Sequence, residues 1–336
     1  MKKFLLATSF ALSLFIGCKK SDLQKPIESN ANDLQDEEQV IAKRTCGSYE
    51  VLKAQLAADP SLQKRMDAIE AFTGKVITRP DLYRLVNGVI EIPVVVNVLY
   101  KTTKENISQK QIQSQVDVLN EDFNNTNTDK TKVPTVFKGT VGSIGVRFVL
   151  STVVRKQTNK KSWTTNDAMK KSSQGGINPT DPTHKLNLWS CNLGRGLLGY
   201  AQFPGGSSST DGVVILYSAF GSRAKYPSGT YIPDYDLGRT ATHEVGHWMN
   251  LRHIWGDDGG ACSGSDLVGD TPNQGRENYG CPSFPHLSCS NGPNGDMFMN
   301  YMDYTDDRCM FMFTNGQKKR ALAVFASGGP RAPIGQ

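Results

Sequence analysis

Three of the five histidines in this 336-residue chain fall within eleven residues, His243-Glu244-Val245-Gly246-His247-Trp248-Met249-Asn250-Leu251-Arg252-His253. No other feature restricts the fold as strongly. On a helix, His243 and His247 lie about 40° apart and one turn along, so both imidazoles can reach one ion at Zn–N distances near ~2.0–2.1 Å. Glu244 is rotated by about 100° from His243. That direction suits a carboxylate beside a metal-bound water, whose pKa zinc lowers and whose proton the carboxylate accepts. His253 lies roughly 9 Å beyond His247 along a straight helix and closes the site only if the chain turns back first. Asn250 stands where that turn is needed, and Asn tolerates the left-handed conformation that ends helices. The spacing predicts helix, sharp turn, third ligand. Val245, Trp248, Met249 and Leu251 would also suit a buried structural helix. The third histidine at a matching offset favours the metal.

The amino terminus reads as an address. Lys2 and Lys3 precede an apolar run, 4–17, too short to span a bilayer comfortably. Leu14-Phe15-Ile16-Gly17-Cys18 resembles a bacterial lipobox, which implies cleavage before Cys18 and a lipid on its sulfur. A plain secretory signal with an incidental Cys18 is the other reading. Both export the protein, to a lipid-anchored place on the bacterial cell envelope or surface or into the medium, and both permit disulfides. Residues 1–17 are thus expected to be a signal peptide and 18–45 a polar tether. A surplus of 38 Lys+Arg over 32 Asp+Glu is small for this length, and no dense basic stripe interleaved with aromatics appears. Nucleic acid is not an expected partner. With only one long apolar run, contact with a membrane is expected through the lipid anchor alone.

Beyond the tether, 49–58 and 61–72 are helix-compatible and Gly74 ends the second. Pro80 and Asn87-Gly88 then mark a boundary, which leaves 86–336 as the main domain. Stretches 89–100, 146–154, 186–191, 197–203 and 212–217 read as strands. Ser108 and Gln111 form a capping-box signature ahead of the helical face Ile112, Val116, Leu119 and Phe123. Residues 256–295 are dense in Gly, Asp, Asn, Pro and Cys with almost no periodicity. Thr314 and Gln317 make a second capping box, opening a last helix towards Phe325.

The histidine run is similar to the zinc motif of the metzincin clan, H-E-x-x-H-x-x-G-x-x-H, departing at Asn250 where most members carry Gly. Asn300-Tyr301-Met302-Asp303-Tyr304 looks like the clan's Met-turn. The cysteine pattern and the run from Met299 to Asp307 resemble the pappalysin family, in its bacterial cytophagalysin–ulilysin-like branch, over about residues 90–325. The resemblance implies an α+β, metzincin-like zincin. Its upper subdomain would hold a twisted mixed β-sheet and two helices, the second bearing the zinc motif. Its lower, loop-rich subdomain would carry the Met-turn and a C-terminal helix. It further implies a zinc-dependent endopeptidase acting on protein or peptide substrates. His243, His247 and His253 would bind zinc and Glu244 would be the general base. Met302 would pack beneath the metal, and Tyr304 would hydrogen-bond the oxyanion; a second reading of Tyr304 is a core tyrosine. Segment 197–203 would be the edge strand on which substrate adds antiparallel, or else simply a strand of the sheet.

Cys262, Cys281, Cys289 and Cys309 lie in or near the aperiodic region, where an exported chain needs staples. Sequence alone allows three pairings. The resemblance implies Cys262–Cys289 and Cys281–Cys309. Cys191 sits in an apolar strand and reads as core. Cys46, within Arg44-Thr45-Cys46-Gly47, looks like the cysteine switch of latent metzincins, its thiolate taking the place of the catalytic water. Residues 46–85 would then be a pro-segment, cut near Lys75, Arg79 or Arg84. A free or intermolecularly bonded Cys46 is the alternative. Asp257, Asp258, Asp266, Asp270 and Thr271 offer hard oxygens that suit calcium, and the resemblance singles out Asp266 and Thr271. A solvated acidic loop explains the same residues. Relatives that cut before Arg or Lys carry an acidic residue where this chain has Arg308. That predicts loss of basic specificity, in favour of Asp or Glu, unless Arg308 faces solvent or pairs with Asp306 or Asp307. The whole pattern predicts a monomeric zinc endopeptidase made as a latent exported lipoprotein precursor. The alternative is a catalytically weak surface-binding lipoprotein that keeps the zinc fold, and intact Glu244 argues against it. A zinc hydrolase of non-peptide amides is a third reading.

Overall fold

The computed structural model describes residues 43–79 and 89–334. The expected signal peptide, Cys18, nearly all of the tether, Arg84 and the 85/86 boundary lie outside the described residues. Among the described residues seven strands are present: β1 (Ile90–Tyr100), β2 (Val141–Gly142), β3 (Val146–Gln157), β4 (Leu186–Cys191), β5 (Gly199–Ala201), β6 (Val213–Leu216) and β7 (Phe313–Thr314). Five form one mixed sheet in the order β3-β1-β4-β6-β5. Its first four strands are parallel, and β5 pairs antiparallel with β6 at the edge. The strand β1 shows why a parallel sheet forms here. Val94, Val95, Val96, Val98 and Leu99 are all buried, so the strand is covered on both faces and alternation is lost. The opposite edge, β3, alternates at its start between buried Val146 and Phe148 and exposed Arg147 and Val149.

Among the described residues five α-helices accompany the sheet: α1 (Ser48–Ala58), α2 (Ser61–Val76), α3 (Gln109–Phe123), α4 (Arg239–Trp248) and α5 (Asn315–Ala323). Ser108 caps α3 by accepting from Gln111 N, and Ile112, Val116, Leu119 and Phe123 face the core. All ten residues of α4 are buried, making it the central helix. It is tied to α3 by Thr242 Oγ1 donating to Asp122 Oδ2 at 2.7 Å. Tyr301 donates to the other oxygen of Asp122 at 3.0 Å, which extends the tie to the Met-turn. The α5 capping box forms as the sequence predicts, with Thr314 and Gln317 exchanging hydrogen bonds. Among the described residues no helix is long and apolar enough to cross a membrane.

Helix α2 runs past Gly74 to Val76, because Phe72 and Val76 pack against Ala323 and Ala326, and that burial outweighs the weak helix propensity of glycine. The predicted strand at 197–203 narrows to β5. The β2–β7 pair, two residues per strand, carries no periodicity to read. Below the sheet, 256–312 is nearly all turns, stapled by Cys262–Cys289 and Cys281–Cys309, with Cys46 and Cys191 free and buried. Those disulfides span 27 and 28 residues. Replacing either pair by serine is expected to lower unfolding free energy by about 3–4 kcal/mol, as loops of that length predict. Urea denaturation measures it.

Candidate metal centre

Helix α4 and the turn after it build the centre. Asn250 takes φ +69°, the left-handed conformation, and reverses the chain so that His253 comes back towards the helix. His247 Nε2 then lies 3.1 Å from His243 Nε2 and 3.1 Å from His253 Nε2. Each ring has its other nitrogen engaged as a donor: His243 Nδ1 to Tyr301 O at 2.7 Å, His247 Nδ1 to Leu251 O at 2.8 Å, His253 Nδ1 to Asp257 Oδ1 at 2.7 Å. With Nδ1 as the donor, a neutral ring offers its Nε2 lone pair to the centre, and lone pairs that face one another cannot bond. A cation between them resolves the contact. Tetrahedral zinc at ~2.1 Å from each nitrogen would hold them about 3.4 Å apart, so the residues present fit the ion. Burial pushes His243 well below its usual value and His247 down to about 3, which keeps both neutral as ligands require.

Beneath the centre, an added Cβ on Gly246 would stand 2.5 Å from Met302 Sδ, so only glycine lets α4 lie this close to the Met-turn. Tyr304 is aimed by the neighbouring Asp303, which accepts from Tyr304 N, Gln274 Nε2 and both nitrogens of Asn278. Burial raises the Tyr304 phenol well above its ordinary value, so it stays a donor. Glu244 is buried against Gly199 of β5, and desolvation lifts its carboxyl to about 7.

The segment before α1 fills the cleft. The Sγ atom of Cys46 and ligand nitrogens of the three histidines all lie within 4.8 Å of one another. It also stands 3.3 Å from Glu244 Oε2. Ser48, which the sequence does not single out, donates to the same oxygen at 2.9 Å and accepts from Ala201 N at 2.8 Å. Leu198 N donates to Thr45 O, and Gly47 N to Gly199 O, so 45–47 runs parallel to the edge strand β5. Tyr304 Oη reaches the Cys46 carbonyl at 3.5 Å.

Arg44 is the second residue the sequence missed. Its buried guanidinium lies 2.5 Å from Asp307 Oδ1, donates also to Thr305 O and Thr240 Oγ1, and stacks over Tyr235. Asp307 Oδ2 accepts from Leu237 N and Arg239 N, which braces the start of α4. No local spacing rule links these positions; only the R-T-C-G run hinted at Arg44. Arg308, the candidate for the specificity pocket, faces outward. Its side chain is 63% exposed and pairs with Asp306 at 3.0 Å, since the short turn at Asp307–Cys309 buries Asp307 and turns Arg308 outward. This is the solvent-facing, Asp306-paired placement that stood as the alternative to a specificity role.

The acidic loop divides its labour. Asp257 holds His253, Asp258 accepts from the amides of Gly260, Ala261, Ser263 and Gly264, and Asp270 caps α5 through Gly316 N. Asp266 and Thr271 alone face one another, with the threonine hydroxyl donating at 2.9 Å.

An antiparallel edge strand beside a buried helix that bears two imidazoles and a carboxylate, with a third imidazole returned by the turn after that helix, defines a metallopeptidase of the metzincin type. The Peptidase_M43 family model, described as Pregnancy-associated plasma protein-A, matches residues 197–326. An extracellular metalloprotease of Arthroderma otae is 31% identical over 296 residues, 86% of this chain and 94% of its own length. One from Pyricularia oryzae is 36% identical over 226 residues, 66% and 68% respectively. Mature mirolysin of Tannerella forsythia, in complex with a cleaved peptide, aligns with TM-score 0.71 and 47% identity over 74% of this chain and 96% of that one. A promirolysin mutant aligns with TM-score 0.78 and 43% identity over 87% and 97%. The chain belongs to the pappalysin family of metalloendopeptidases.

Proposed function

We propose that this chain is an exported zinc endopeptidase held latent by its own segment 43–79 until that segment is cut away. The observation that carries the reading is Cys46 Sγ among the three histidines, with Ser48 on Glu244 and Arg44 on Asp307. One short stretch thereby blocks the metal position, the base and a side-chain pocket together. It runs parallel to β5, whereas a substrate adding antiparallel would present its peptide bonds the other way round. Promirolysin aligns with more of this chain than mature mirolysin does, 87% against 74%, which supports a pro-segment ahead of the catalytic domain.

Bound at His243, His247 and His253, zinc would supply Lewis acidity. Glu244 accepts the proton of the attacking water and passes it to the leaving amine. Tyr304, already within reach of the Cys46 carbonyl, donates to the oxyanion that develops on the substrate carbonyl. Leu198 N, Gly199 O and Ala201 N, now occupied by residues 45–48, align the substrate backbone. Met302 supports the ligand helix through its contact with Gly246. Calcium at Asp266 and Thr271 enters through the family resemblance; its support is a buried carboxyl, lifted to about 7 by desolvation, that a cation would ionise. Relatives named extracellular metalloproteases support export, and Cys18 is the proposed lipid site. A monomer suffices, because one chain supplies every residue of the site.

Incubating processed protein with casein, with and without a chelator, tests the reading. Chelator-sensitive cleavage and one zinc per chain are expected; metal without cleavage would favour the binding lipoprotein. The Arg44–Asp307 pair supports a basic side chain just after the cut. Peptides with Arg there are expected to be preferred. Asp307→Asn is expected to cost roughly tenfold to a hundredfold of that preference, the worth of one charged hydrogen bond, whereas Arg308→Asp leaves it unchanged. Peptide-library profiling measures both.

A further inference from the structure

Beside the histidine cluster, three donors converge on a single carboxylate of α2. Glu70 Oε1 on α2 accepts from Arg320 Nη2, from Arg252 Nη2 at 3.4 Å and from Asn250 Nδ2 at 3.4 Å. Arg320 also donates to Asn250 O at 2.7 Å, so it is fixed behind the turn that delivers His253. The two arginines hold the Glu70 carboxyl below its usual value, against the opposing effect of burial. Arg252 is incompletely used in this state. Its Nε is buried and has no hydrogen-bond partner, while only Nη2 meets Glu70. A guanidinium prefers to grip a carboxylate with both nitrogens of one edge, and that grip is open here.

The position of Arg252 says which part of a substrate it would meet. It lines a cavity of about 140 Å3 with Phe203, His247 and His253, roofed by Leu52 and Met66 of α1 and α2. Phe203 follows β5, beyond Ala201, whereas Arg44 lies past the opposite end, near Leu198. A substrate antiparallel to β5 therefore enters at Phe203, with residues preceding the scissile bond on this side. Asp257, on the same wall, is already engaged by His253. When α1 and α2 leave, Phe203 loses its cover of Leu62 and Met66, and Arg252 and Arg320 lose Glu70.

We propose that Arg252, backed by Arg320, is a carboxylate-binding subsite of the mature enzyme that selects Glu or Asp before the cut, the place Glu70 holds in the latent form. It rests on the reading that 43–79 is removed on activation. The test compares kcat/KM of processed enzyme for peptide pairs carrying Glu or Gln at each of the three positions before the cut. At one position Glu is expected to win by about tenfold, as one charge-assisted hydrogen bond at a half-exposed site predicts. The ratio should fall towards one in about 0.5 M salt and in Arg252→Gln, and Arg252→Glu should favour Lys over Glu. A wild-type ratio near one at every position, with the Gln peptides still cut, overturns the subsite and leaves the peptidase reading standing. So does a preference that persists at high salt or in Arg252→Gln. Failure to cut any peptide sinks both.

Discussion

Glu244→Gln lowers kcat of the processed enzyme by about 10²–10⁴-fold, the usual contribution of a positioned general base, with metal content unchanged. Glutamine keeps the shape of the side chain, and the three imidazoles that would bind the ion are oriented by Tyr301, Leu251 and Asp257 rather than by Glu244. Stability of the full precursor should not fall, because there the carboxyl is buried and lifted to about 7 by desolvation, and removing its charge relieves a burial cost. Room at this point is tight, since a Cβ on Gly199 would stand 2.9 Å from Glu244 Cγ. The position accepts an isostere and little else. Single-turnover cleavage of a peptide, read beside zinc analysis, separates the roles. A fall of less than tenfold would remove Glu244 from proton transfer, and loss of zinc would make it a structural support.

Cys46→Ala in the full precursor releases activity from the uncut chain. A structural zinc site is worth about 10–16 kcal/mol over four ligands, so one sulfur contributes roughly 3 kcal/mol. Losing it raises the open fraction by about a hundredfold. Release stays incomplete, because Arg44 still holds Asp307 and Ser48 still holds Glu244 and Ala201 N. Adding Arg44→Ala to Cys46→Ala should release more than either alone, since the two grip different parts of the cleft. Activity is read on chain shown uncut by gel, with autocatalytic shortening followed over time. Unchanged latency in Cys46→Ala would mean that the thiol is a bystander.

The parts of this molecule that could be read ahead of its coordinates are those governed by near neighbours. Helical spacing aims His243 and His247 the same way, and one asparagine permits the reversal that returns His253. The serine and threonine caps at Ser108 and Thr314 declare two helix starts from three residues each. The β-rich run at 89–100 announces a strand, and only the structure shows it covered on both faces. Where periodicity vanishes, between 256 and 312, chain order says little about direction. Asp307 and Arg308 are adjacent, yet one is buried under α4 and the other is in water.

Local order in the chain was thus enough to gather three histidines, set Glu244 beside them and propose a blocking thiol. Packing alone decided what else fills the cleft. Arg44 meets Asp307 across 263 positions, Ser48 meets Glu244 across 196, and Glu70 meets Arg320 across 250. Contacts so distant along the chain obey no spacing rule, because they exist only once the sheet, α4 and the stapled loops have brought their separate surfaces together.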